Sequence, residues 1–235
     1  MDYTTRHNLI RALRDRTQQL ALPTRIAAPL SENSPRFTDI GDLLLGRGFE
    51  PGNLVEWRNV GSGGGALTLA LAVAARLLEG GGAFIVIDGP REFYPPAADR
   101  LGVPLDRTAV VRPDDPRAGL WAWEQALRCP AVAVTLGWAD ELTDRHGHRL
   151  QLAAEAGGGL GFLLRSAGPA TKAAVRLRVS GEGFFGRPYL LDRRLRVELL
   201  HCRGGTPGTS VELELDHETS HVRLVSELAD PAASI

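Results

Sequence analysis

Lysine is almost absent from this chain. Lys172 is the only one, and arginine carries the rest of the positive charge. That bias marks a GC-rich genome before it marks a function. Cysteine is scarce as well. Cys129 lies in an apolar stretch and Cys202 in an expected strand. Two cysteines make neither a disulfide framework nor a zinc site, and a reducing cytoplasm fits them. Charge of one sign is missing: 27 Lys and Arg against 28 Asp and Glu leave a formal net charge of -1. No gross electrostatic pull towards nucleic acid or membrane follows. Long hydrophobic runs are missing too. The longest, Leu67 to Leu78, is interrupted by Thr68 and Arg76, and it falls short of the ~18 apolar residues that suggest a membrane span. The opening "MDYTTRHNLIRALRDR" has no apolar signal core.

What remains is ordinary globular material, 43% hydrophobic and 23% charged in 235 residues. That length buries one sizeable core. Residues Thr5 to Leu20 read as a helix with Leu9, Leu13 and Leu20 along one face and Arg6 and Arg16 beside it. Pro23, Pro29 and Pro35 then break the chain. The expected organisation is an N-terminal helix and proline-containing linker over 1–35, a core over 36–228 and a frayed tail over 229–235.

From Phe37 a regular alternation begins. "NLVEW", "AFIVID", "TAVVR", "AVAVTLG" and "GLGFLLR" read as strands. "LTLALAVAARLLE", "PPAADRLG", "RAGLWAWEQALR" and "RHGHRLQLAAEAG" read as the helices between them. Such alternation predicts a mostly parallel sheet flanked by helices. After Ala173 the pattern changes. "AAVRLRV", "LRVELLHCR", "SVELELD" and "HVRLV" are strands without helices between them, and "RGGTPG" reads as a hairpin turn. The fold class is therefore α/β, finished by antiparallel strands.

Chemistry concentrates in "EWRNVGSGGGALTLALA". A strand, a glycine-rich turn and a helix follow one another, as in a phosphate-binding P-loop. Backbone N–H groups of Gly61, Ser62, Gly63, Gly64 and Gly65 could wrap an anion at the helix start. A P-loop also needs a lysine and then a Ser or Thr, and here Ala66 and Leu67 follow Gly65. A tight strand-to-helix turn explains the glycines equally well. Asp88 ends "AFIVID", where a carboxylate could hold a magnesium shell or activate water. The strand "AVAVTLGW" ends without an acid. His146 and His148 lack a third ligand nearby, so no metal site is expected. The aspartates of "RPDDP" fit a turn. Trp121 and Trp123 cannot both face the core of one helix. Arg193, Arg194 and Arg196 form a modest basic patch, a phosphate contact or a solvated strand face.

The order of these elements resembles the RecA recombinase core from about Arg36 to Val225. "RFTDIGDLLLGRGFEPGNLVEW" is similar to the family's lead-in to the P-loop strand. "AADRLGVPLDRTAVVRPDDPRAGLWAWEQALR" is similar to its segment with LGV and QPD landmarks. "LRVELLHCRGGTPGTSVELEL" is similar to its closing hairpin. Within that superfamily, "RLQLAAEAGGGLGFLLR" and "VELLHCRGG" resemble the ImuA family, RecA-like accessory proteins of bacterial mutagenic translesion synthesis. The resemblance implies a place in the SOS response to DNA damage. It implies ImuB and RecA as partners, with a DnaE-type error-prone polymerase in the same assembly. It implies a cytoplasmic protein, associated with the nucleoid through those partners.

It also implies losses. The P-loop Lys and Thr correspond to Ala66 and Leu67, and the acid of the Walker B strand corresponds to Gly137. The catalytic glutamate corresponds to Pro90, with Glu92 two positions late. Losing charge clamp, metal ligands and base together removes efficient ATP hydrolysis, so no cofactor is expected, although the backbone cradle still allows ATP to bind. The two DNA-holding loops look shortened to about Leu142–His148 and Ser166–Lys172, leaving Lys172, Arg193 and Arg194 as weak DNA or phosphate contacts. By analogy with the helix between RecA protomers, Leu9, Leu13 and Arg16 are the expected partner-binding residues. The leading expectation is a non-catalytic adaptor. The alternatives are a weak or nucleotide-gated DNA-dependent ATPase, and an inhibitor of RecA or of cell division like SulA.

Overall fold

The computed structural model describes residues 40–45, 48–61, 65–187, 190–203, 206–216 and 222–228. The expected N-terminal helix, the linker and the tail lie outside the described residues. So do Leu9, Leu13 and Arg16, and Ser62, Gly63 and Gly64 of the glycine turn.

The described residues begin with a short helix, α1 (Ile40–Leu45). Strand β1 (Leu54–Val60) follows, then helix α2 (Ala66–Leu78), β2 (Ala83–Ile87) and α3 (Pro95–Arg100). After β3 (Thr108–Val111) come α4 (Pro116–Leu127), β4 (Val132–Trp138), α5 (Asp144–Gly157) and β5 (Leu160–Arg165). Four strands close the fold: β6 (Val175–Arg187), β7 (Leu190–Cys202), β8 (Ser210–Leu215) and β9 (Val222–Leu228). Among the described residues all nine strands form one sheet in the order β3-β2-β4-β5-β1-β6-β7-β8-β9. Pairings from β3 through β1 to β6 are parallel, and β6 to β9 are antiparallel. The expected fold class is therefore observed.

Local chemistry explains the boundaries. Asp115 caps α4 by accepting the Ala118 N–H at 2.8 Å, with Pro116 at the first helical position. One of the two "RPDDP" aspartates thus serves a cap. Thr143 caps α5 through the His146 N–H, and Gly158 ends it in the left-handed conformation. Two layers of core sandwich the parallel strands. On one face α1, α2 and α3 pack with Trp57, Phe84, Leu136 and Phe162. On the other α4 and α5 pack with Ile85, Trp123, Leu150 and Leu163. Covering both faces accounts for a strand such as β2, buried at every position. Each fully buried large side chain contributes about 1.5–3 kcal/mol.

The antiparallel extension is covered differently. Leu177, Val179, Leu195, Val197 and Leu213 turn to the α1–α3 side. Its other face is polar: Arg178 meets Glu198 at 3.2 Å, and Glu214 joins Arg194 at 3.2 Å and Arg223 at 3.7 Å. No helix among the described residues is long and apolar enough to cross a membrane.

Candidate functional site

Of the turn between β1 and α2, the structure describes Gly61 and Gly65. Gly65 precedes the first residue of α2 with φ 84°, a left-handed conformation that glycine adopts without cost. A Cβ there would also stand 2.8 Å from Leu195 Cδ1 and Cδ2. Glycine is thus required at 65 twice over. One donor at the helix start is taken: Asn59 of β1 accepts the Ala66 N–H through Oδ1 at 3.4 Å, and its Nδ2 donates to the Gly61 carbonyl at 3.4 Å.

A cavity of about 320 Å³ opens beside the turn. Gly65 to Thr68, Trp57, Asn59, Glu92, Trp138, Leu164, Asp140, Arg165, Ser166 and Arg193 line it. The P-loop replacements Ala66 and Leu67 are therefore where a nucleotide's phosphates would need a cation and a metal ligand. Neither side chain supplies one.

Strand β4 brings no acid either. Gly137 does not aim at the cavity. A Cβ on it would enter the other layer and meet the Trp123 ring at 2.8 Å. That ring is locked by its Nε1–H donating to Thr135 Oγ1 at 2.9 Å. The cavity side of the strand end is Trp138, whose Nε1–H donates to Glu92 Oε2 at 2.9 Å. Of the two tryptophans in α4, Trp123 is buried, while Trp121 is half-buried against the same layer.

Asp88 has another task than holding metal. It is fully buried. Its Oδ1 accepts the N–H groups of Glu92 at 2.8 Å and Phe93 at 3.3 Å, and Oδ2 accepts Arg112 Nε at 3.3 Å. The carboxylate caps a tight turn in which Arg91 takes φ 63°, and it is not among the residues lining the cavity. Sequence reasoning placed it at the right strand end but could not see these donors. It also left Glu92 aside as two positions late, although the turn carries Glu92 to the cavity wall.

The segment 166–172 is tied down from three sides. Asp140 accepts Ser166 N at 2.7 Å, Ser166 Oγ at 2.8 Å and Ala167 N at 3.0 Å. Burial raises the Asp140 pKa, but these hydrogen bonds and the Arg165 charge outweigh it and hold the carboxyl below the ordinary aspartate value. Arg58 donates to the carbonyls of Gly168 at 3.0 Å and Pro169 at 3.4 Å. Glu56, buried within β1, accepts Thr171 N at 3.1 Å and the Thr171 hydroxyl. Lys172 stands exposed at the end of this segment.

The basic patch of β7 divides between the two faces of the strand. Arg193 lines the cavity, and burial lowers its pKa, although a guanidinium stays charged. Arg194 pairs with Glu214 on the polar face, and Arg196 reaches Ser210 Oγ at 3.3 Å. Strand alternation separates neighbours that look like one patch in the sequence. His146 is half-buried and His148 exposed. Among the described residues no three His, Cys, Asp or Glu side chains are grouped to hold a metal.

Among the described residues the lining lacks the P-loop lysine and the hydroxyl after it, and its carboxylates Glu92 and Asp140 accept from Trp138 and from Ser166 and Ala167, an arrangement that does not fit a magnesium nucleotide. The four ionic side chains among the described lining residues, Arg165 and Arg193 against Glu92 and Asp140, sum to zero formal charge.

No protein-family model matches the chain. Among curated proteins, it is 34% identical to protein ImuA of Caulobacter vibrioides (strain NA1000 / CB15N) over 167 residues, covering 64% of this chain and 68% of that one. It is 33% identical to protein RecA of Synechocystis over 93 residues, 40% of this chain and 26% of that one. Among solved structures, the RadB recombinase superposes with a TM-score of 0.56 at 16% identity, over 84% of this chain and all of that one.

Proposed function

The chain belongs to the ImuA family of RecA-like proteins, and from that premise we propose that it is a non-catalytic adaptor in SOS-linked mutagenic translesion DNA synthesis. It docks ImuB and RecA and brings a DnaE-type error-prone polymerase into the same assembly. One observation carries the reading: the P-loop pair is replaced, and the two strand-end positions are committed to structure. Ala66 and Leu67 replace the P-loop pair, and the Trp123 ring occupies the space a side chain at Gly137 would need. Asp88 is consumed by a turn and Arg112. What survives is a rigid sheet with helices and surfaces.

In this reading residues 36–228 are the docking core, residues 1–35 a docking arm whose contacts are Leu9, Leu13 and Arg16, and residues 229–235 a tail. DNA contact is weak or indirect. Lys172 is one exposed cation on a short, anchored segment, and Arg194 is spent on Glu214. The protein works in the bacterial cytoplasm and reaches the nucleoid through its partners.

Size-exclusion chromatography of the full chain with its cognate ImuB tests this. Co-elution is expected, and separate elution overturns it. Strand exchange by the cognate RecA, with and without the chain, separates adaptor from inhibitor. An adaptor leaves the reaction rate unchanged.

A further inference from the structure

The cavity beside the glycine turn contains buried donors that lack acceptors. Arg165 closes β5 and is 2% exposed. Its Nε and Nη2 donate to the carbonyls of Ala167 and Asp140, each at 3.3 Å, while Nη1 has no partner among the described residues. Trp57, fully buried between Phe49 and Phe162, likewise leaves Nε1 unpaired. Both residues line the cavity, which the first turn of α2 also borders. Helix first turns hold N–H groups without intrahelical acceptors. A buried guanidinium nitrogen without an acceptor costs stability unless something accepts from it.

The walls narrow down what that something is. Ala66, Leu67, Leu164 and the Trp138 ring make one side apolar. Glu92 is held by Trp138 and Asp140 by the 166–167 backbone, so neither is a counter-ion for Nη1 at hydrogen-bond distance. Their charges still cancel those of Arg165 and Arg193. A triphosphate would bring about three to four negative charges into a site whose described ionic side chains cancel, and burying unpaired charge is strongly unfavourable. A single carboxylate brings one charge and matches a guanidinium in shape.

We propose that this cavity receives one carboxylate carried on an apolar body, the C-terminal carboxylate of a partner protein whose last residue is apolar. The carboxylate accepts from Arg165 Nη1 and the first turn of α2, and the apolar body lies against Trp138, Leu164 and Leu67. The cavity at the start of α2 thus serves as a docking socket. The source of the carboxylate rests on the adaptor reading, whereas its binding does not.

The test follows tryptophan indole N–H resonances of the ¹⁵N-labelled full chain during titration with N-acetyl-L-phenylalanine. A saturable shift of the Trp138 indole is expected. The uncharged N-acetyl-L-phenylalaninamide should bind at least about tenfold more weakly, the loss of one charged hydrogen bond. Thr68→Glu places a carboxylate of the chain itself at the third residue of α2, where glutamate favours the helix, and should abolish the shift without lowering the melting temperature. Equal binding of the amide, unchanged binding by Thr68→Glu, or tighter binding of magnesium ATP would each overturn the proposal. Carboxylate binding without ImuB binding would instead count against the adaptor reading alone.

Discussion

At the start of α2 Gly65 takes φ 84° and packs closely on Leu195. At the ends of β2 and β4, farther along the same sheet, the side chains serve the fold instead. Asp88 binds two backbone N–H groups and Arg112, and Gly137 yields its space to the Trp123 ring. The difference teaches that geometry and chemistry are separable. Gly65 is held by packing of the helix start on Leu195, whereas Asp88 and Gly137 are held by contacts that stabilise the strand ends. Placing an acid at Gly137 therefore requires displacing the Trp123 ring.

The largest expected effect breaks this comparison at β4. Gly137→Asp drives a Cβ and a charge into the Trp123 layer, and urea denaturation should show a loss of about 3–5 kcal/mol, as for overpacking combined with an unpaired buried charge. Adding Trp123→Ala should cost less than the two single losses combined, because the second change removes the clash created by the first. Purely additive losses would mean that the ring is not what excludes the acid.

At β2, Asp88→Ala leaves the Glu92 and Phe93 N–H groups without their acceptor and should cost about 2–3 kcal/mol. Asp88→Asn keeps one acceptor oxygen and should cost less. An unchanged stability in both variants would remove the structural role assigned to this carboxylate. The turn itself responds more mildly. Gly65→Ala should lose about 1–2 kcal/mol from the left-handed backbone alone, with the Leu195 contact adding to it.

The smallest effect concerns pH. Asp140 has a lowered folded pKa, so its contribution is present above the ordinary aspartate value and is lost as pH falls through the folded one. The protection factors of the Ser166 and Ala167 amides, taken against the intrinsic exchange rate at each pH, should fall on acidification in the native chain. In Asp140→Asn they should be low already at neutral pH.

Much of the fold was legible because periodicity and caps were strong. The alternating elements from β1 to β5 and the switch to antiparallel strands follow from apolar spacing and turn residues alone. The long β6–β7 hairpin was not legible past Val179. "SGEGFFGR" carries Gly181, Gly183 and Gly186, which weaken any strand signal, and only the pairing with β7 across Gly181↔Leu195 and Gly183↔Arg194 makes it a strand. Helix α1 was missed for its brevity. At the site, the missing lysine, hydroxyl and acid were visible from residue types. What those positions do instead depends on which face each residue takes. Arg193 and Arg194 part because strand neighbours point apart, and Arg165 gave no signal beyond ending an apolar strand.

The central claim is that the P-loop position no longer performs nucleotide chemistry. Isothermal titration of the full chain with ATP and magnesium tests it most directly. The account predicts no binding tighter than about 100 μM, equivalent to about -5.5 kcal/mol. Magnesium-dependent binding below that value would contradict it.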